Sequence, residues 1–79
     1  MYKIMSIVQG GVDKVDGIHA DMILKTVDVL FMEEGRSAIL YIEDTEKTIR
    51  TSVVQKIAYY DNGDVGFSTL NTEYYLSKI

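Results

Sequence analysis

An all-β fold is what this sequence predicts, and three observations carry the prediction. Gln55 to Leu76 (QKIAYY-DNGD-VGFSTLNTEYYL) reads as three short strands joined by two tight turns. Its Asn62-Gly63 pair is the strongest short hairpin signal, because both central residues of a type I′ turn need positive φ. A second hairpin, centred on Glu34-Gly35, places apolar residues opposite each other and opposite charges at both ends.

Taken in order, Tyr2 to Val8 (YKIMSIV) looks like a first strand, ended by Gly10-Gly11. Gly10 to Asp21 (GGVDKVDGIHAD) mixes glycine and aspartate with isolated apolar residues and reads as a loop. Met22 to Glu34 is ambiguous. Ile23, Val27, Leu30 and Phe31 have helical spacing with Gly35 as a cap, so a helix over 20–34 is one reading. Pairing supports a strand instead: Glu33 faces Arg36, Phe31 faces Ala38, Val29 faces Leu40, Val27 faces Ile42 and Lys25 faces Asp44. Ser37 to Asp44 and Lys47 to Tyr60 flank a polar turn, EDTEK. That turn is either two-residue, with Asp44 facing Lys47 and Ile42 facing Ile49, or a longer loop. The run from Lys47 to Tyr60 exceeds a usual strand and is expected to bend near Thr51-Ser52.

Around Asn62-Gly63 the type I′ register places Tyr60 opposite Val65, Tyr59 opposite Gly66 and Ala58 opposite Phe67. Around Leu70-Asn71, Thr69 faces Thr72, Phe67 faces Tyr74 and Val65 faces Leu76. Ala58, Tyr60, Val65, Phe67, Tyr74 and Leu76 then form the core face, and Tyr59, Ser68, Glu73 and Tyr75 the outer one. The whole is an antiparallel meander of six to seven short strands. In so short a chain it must curl into a small barrel or pack as a dimerising sheet.

With 79 residues the chain is a single small domain, 1–79, of ordinary globular composition. A core this small supplies roughly 3–5 kcal/mol. The sequence has no cysteine, which excludes disulfides and thiolate metal sites, so a homo-oligomer is the expected supplement. The net charge is −4 and the eight basic residues are scattered, which argues against direct nucleic-acid binding. No apolar run approaches the ~18 residues of a membrane span. The opening MYKIMSIVQGG is too weakly apolar for a signal peptide, so a cytoplasmic protein is expected.

No motif in the chain supports catalysis, a metal site or a cofactor. His19 has no nucleophile or orienting partner that spacing could supply, and Gly10-Gly11 and Gly17 match neither a Walker loop nor a dinucleotide fingerprint. Asp61 and Asp64 fall at a turn tip and fail the spacing of a calcium loop. Glu33-Glu34 and the Glu43-Asp44-Glu46 group also lie at turn tips, where solvated carboxylates are ordinary. The enriched feature is six tyrosines, two pairs of them as doublets. Strand neighbours point to opposite faces, so each doublet displays one ring. The displayed rings are expected to be Tyr59 and Tyr75, with Arg50 and Thr51 as polar neighbours. Such a face suits a protein partner, or a nucleotide-like ligand with its base on a tyrosine and its phosphate on Arg50.

Thr51, Ser52, Val54, Thr69, Asn71, Thr72 and Tyr74 form a Thr-Ser-x-Val…Thr-x-Asn-Thr-x-Tyr pattern over about a third of the chain. It resembles the ends of small uncharacterised β-rich proteins of Firmicute bacteria, their phages and mobile elements. Proteins of that style include phage-encoded antagonists of host immunity, some blocking a protein partner and others sequestering a cyclic-nucleotide signal. The resemblance implies a non-catalytic accessory role and no site residues. The alternative is a structural or assembly subunit whose tyrosine face is an oligomer contact.

Overall fold

The computed structural model of the chain describes residues 1–9, 12–13 and 22–79. Every described element is a strand: β1 (Tyr2–Gln9), β2 (Val12–Asp13), β3 (Thr26–Phe31), β4 (Ser37–Ile42), β5 (Lys47–Val53), β6 (Lys56–Tyr59), β7 (Val65–Ser68) and β8 (Thr72–Lys78). They form one antiparallel sheet in the order β5-β4-β3-β1-β8-β7-β6, with β2 pairing β1 off this path. The all-β expectation holds, in the form of two three-strand meanders flanking β1. The helix considered over 20–34 does not run through the described part of that span, because Thr26–Phe31 is strand β3. Lys25 N–H instead donates to Met22 C=O at 3.1 Å, closing a turn that leads into β3. The expected loop with His19, Gly10-Gly11 and Gly17 lies outside the described residues, apart from the β2 backbone.

The central strand shows how pattern becomes packing. Ile4 and Ile7 are three apart and would point to opposite faces of a regular strand. A bulge after Ile4 resets the phase: Ile4 pairs Leu76 and Ser6 pairs Tyr75. Both isoleucines are thereby buried, and Met5 is left 45% exposed. They join Val27, Leu40, Val54, Val65 and Leu76 in a core with no solvent access. Phe67 and Tyr74 stack beside them with ring centroids 4.6 Å apart.

In the β3–β4 hairpin Val27 pairs Ile42 and Val29 pairs Leu40, as expected. Arg36 N–H donates to Glu33 C=O at 3.1 Å, with Gly35 at φ +87°. Lys25 and Asp44 approach to 4.0 Å, an exposed pair that contributes little. Phe31 departs from expectation. A bulge at Leu30 brings it opposite Ile39 rather than Ala38, which moves its ring to the outer face. The next connection is the longer loop, with Ile42 opposite Lys47 and Leu40 opposite Ile49. Glu46 takes the left-handed φ of 55° that closes it.

The run from Lys47 to Tyr59 does bend, but at Val54-Gln55. Val54 still pairs with the β3–β4 turn: it donates to Arg36 C=O at 2.9 Å and accepts from Gly35 N–H at 2.8 Å. One residue later, Gln55 N–H donates to Ser68 C=O on β7 at 2.7 Å. The chain thus leaves one edge of the sheet and enters the other, so the sheet curls. It is not closed into a barrel, because β5 and β6 share no ladder. Near Thr51-Ser52 there is a bulge rather than the bend. Buried Thr51 fills the gap: its Oγ1 accepts the Ala38 N–H at 3.0 Å and donates to Ser52 C=O at 2.8 Å.

Thr51→Val keeps the shape and removes the acceptor for a buried N–H. We expect it to destabilise the fold by about 1–3 kcal/mol in urea denaturation, with Thr51→Ser costing much less.

Candidate functional site

The half of the sheet made of β1, β8, β7 and β6 presents two cross-strand rows outward. Ser6, Tyr75, Gly66 and Ala58 pair in sequence across the four strands, and Val8, Glu73, Ser68 and Lys56 form the next row. Four of these eight are glycine, alanine or serine. Small side chains here leave a depression of about 390 Å³. Tyr60 and Tyr75 wall one end, with ring centroids 5.5 Å apart and planes tilted by 39°. Lys56 and Glu73 stand at the other end.

The tyrosine wall corrects the expected register. The Asn62-Gly63 turn is not a two-residue type I′ turn. Gly63 N–H donates to Tyr60 C=O at 3.0 Å and Tyr60 N–H donates to Asp64 C=O at 3.0 Å, so the loop is three residues, with Gly63 alone at positive φ, +93°. This is the type I turn followed by a glycine bulge. Tyr59 now pairs Val65, Ala58 pairs Gly66 and Ile57 pairs Phe67. One added loop residue flips the whole of β6. Tyr60, expected in the core, is 46% exposed on the outer face, and Tyr59 moves to the opposite face. An aromatic ring does cover the strand glycine, but it is Tyr60. A β-carbon added to Gly66 would lie 3.5 Å from the Tyr60 ring and hydroxyl.

Asp64 holds this arrangement together. Its backbone N–H donates to Asn62 Oδ1 at 3.0 Å, and its Oδ2 accepts from Asn62 Nδ2 at 3.1 Å. Oδ2 also accepts the Tyr75 hydroxyl at 2.7 Å, and Oδ1 accepts the Lys78 N–H at 2.9 Å. The expected solvated turn-tip carboxylate is therefore a buried one that ties the β6–β7 turn to β8. The Tyr75 hydroxyl above all, then the Lys78 N–H, hold its carboxyl below the usual range. The same bond raises the Tyr75 hydroxyl above its ordinary value. The Tyr75 ring is consequently fixed at the groove wall by a charge-assisted bond.

The four residues expected to form a site are not brought together. Tyr75 is in the groove wall. Tyr59, 74% exposed, shares a depression with Met1 and Phe31. Arg50 lies on the β3–β5 half beside Arg36 and Val53. Thr51 is buried and structural. Tyr60, Gly66, Lys56 and Asp64 are the residues that sequence reasoning missed. The first two could have been found from the alternative turn reading of Asn-Gly, which also puts Ile57 rather than Ala58 toward the core. Among the described residues no group of three or more histidine, aspartate or glutamate side chains is placed to hold a metal. No protein-family description, curated protein or solved structure matches the chain. No helix of the described residues is long and apolar enough to cross a membrane.

Asp64 sets a pH dependence whose sign follows from its lowered pKa. The ionised form is favoured by folding, so its contribution is complete above the unfolded value of about 3.9 and is lost as pH falls toward the folded one. Unfolding midpoints of wild type and Asp64→Asn should therefore converge as pH drops below about 4. In the same variant the Tyr75 titration, read by tyrosinate absorbance, should move down toward the ordinary tyrosine value.

Proposed function

We propose that this protein is a non-catalytic binding module that takes a small planar ligand of nucleotide-like chemistry in the groove over Gly66. The observation that supports the reading is the floor itself. Ser6 on β1, Ala58 on β6, and Gly66 and Ser68 on β7 keep this face low on either side of β8, beside an aromatic pair whose Tyr75 is held in place through Asp64. A ring laid on this floor would meet Tyr60 or Tyr75 by stacking, and base-on-aromatic contacts contribute about 1–3 kcal/mol each. Lys56 at the far end supplies a cation for a phosphate, and Glu73 an acceptor for an exocyclic amine. The volume lies within the range of small-ligand sites, about 300–1,000 Å³. The mode of action is occupancy. Together with the resemblance of the C-terminal pattern to phage and mobile-element proteins, this suits an accessory that removes a nucleotide-like signal.

The test is an NMR titration with adenosine monophosphate, guanosine monophosphate and a cyclic dinucleotide. Shifts should concentrate on Gly66, Ser68, Tyr60 and Tyr75. Tyr60→Ala should weaken binding by about 5- to 150-fold, the equivalent of one stacked base, and Gly66→Val should block it by filling the floor. Tyr59→Ala should change nothing. Absence of groove shifts with all three probes at millimolar concentration sinks the proposal.

A further inference from the structure

The link between Asn62 and Gly63 carries chemistry of its own. Once the Gly63 nitrogen gives up its proton it can attack Asn62 Cγ, since glycine has no β-carbon to obstruct the approach. A nitrogen–Cγ bond forms, the Cγ–Nδ2 bond breaks, and ammonia leaves with the displaced proton, giving a five-membered imide. Water then opens the ring at either carbonyl. Breaking the new bond yields aspartate. Breaking the old main-chain bond yields isoaspartate, with the chain running through Cγ. Nothing is oxidised or reduced. The other asparagine, Asn71, precedes Thr72, whose branched side chain hinders the same attack.

The fold opposes ring closure. In a type I turn the second central residue has ψ near 0°, which leaves its Cα–Cβ bond roughly 120° out of the plane the imide needs. Gly63 N–H is already engaged, donating to Tyr60 C=O at 3.0 Å. Asp64 holds the Asn62 side-chain amide at both ends: its N–H donates to Oδ1 at 3.0 Å, and its Oδ2 accepts from Nδ2 at 3.1 Å. The Lys78 stem lies across the outside, where a β-carbon built on Gly63 would stand 2.6 Å from Lys78 Cδ. Asn62 is nonetheless exposed, so water and hydroxide reach it. What withholds the reaction is conformation.

We propose that Asn62 is a deamidation site kept closed by the Asp64 clamp, and that its reaction irreversibly releases the Tyr75 wall of the groove. The hairpin must open before the ring can form, so the rate follows the fraction of time the turn is open. Neither product recloses the turn as before. Aspartate places a second carboxylate oxygen where Nδ2 stood, 3.1 Å from Asp64 Oδ2, and a donor becomes a like charge. Isoaspartate adds a main-chain carbon to a three-residue loop whose length sets the β6 register. Either way Asp64 is displaced from the position in which it accepts the Tyr75 hydroxyl and the Lys78 N–H. The device operates whatever the groove binds.

The test incubates the wild type at mildly alkaline pH, folded and separately in concentrated urea, and follows Asn62 by isoelectric focusing and peptide mass mapping. The folded chain should deamidate there more slowly than the unfolded one by about 10-fold or more. Asp64→Asn offers one carbonyl oxygen where the carboxylate offered two, and should recover most of that difference while still folded. Circular dichroism checks the fold. Should that variant unfold, Tyr75→Phe, which removes a single partner of Asp64, takes its place with a smaller acceleration. Deamidated protein, separated by ion exchange, should show faster hydrogen exchange at the Asp64 and Lys78 amides and lose the NMR contact between the Tyr60 and Tyr75 rings. Equal rates folded and unfolded, no acceleration in the folded variant, or an unchanged clamp after deamidation would each overturn the proposal.

Discussion

One constraint governs the molecule: two residues, Val54 and Gln55, carry the chain from one edge of the sheet to the other. Edges that belong to the first and last strands of the pairing order must therefore lie close together. The sheet has to curl, and curling encloses a core in a chain too short for a second layer. Val54 is the residue most committed to this, being fully buried while its backbone pairs with the β3–β4 turn. Glu34 supports the same corner by accepting the Ile57 N–H at 3.0 Å, which caps one outward donor of the β6 edge. The bulges at Met5, Leu30 and Thr51-Ser52 are the local means of bending three strands to follow that curvature.

Legibility of the fold tracked how local the pairing was. The β3–β4 and β7–β8 hairpins followed from alternation and turn chemistry, and in the second of them Val65–Leu76 and Phe67–Tyr74 fell as expected. The β6–β7 hairpin slipped by one because Asn-Gly serves two turns. Asn can take positive φ in a two-residue loop, or an ordinary φ before a glycine bulge. The dipeptide cannot choose between them, although burial of Ile57 in place of Ala58 favours the second. The β1–β8 pairing was not legible at all. It joins residues about seventy positions apart, with no turn between them to set a register.

That illegibility explains the site. The groove floor takes Ser6 from β1, Ala58 from β6, and Gly66 and Ser68 from β7. No one segment shows a run of small residues, so the face exists only after the long-range pairing is known. Asp64 was missed for a related reason. An aspartate after Asn-Gly reads as a solvated turn residue, and the bonds that bury it come from Tyr75 and Lys78, on a strand a hairpin away. Charge followed the same logic, since Arg36 and Arg50, apart in sequence, line one depression in the fold.

The place of β1 has a further consequence, for solubility. It sits between two hairpin sets that are each complete in themselves, pairing β3 at Tyr2 and Lys3 and β8 along most of its length. Withdrawing Tyr2–Gln9, by proteolytic nicking or by a bulky fusion that pulls on it, uncovers an edge of β3 and an edge of β8 in one step. Each bare edge offers a row of backbone donors and acceptors to any other chain. A single strand near the start of the sequence thus decides whether two sheet edges are paired within the molecule or open to edge-to-edge association.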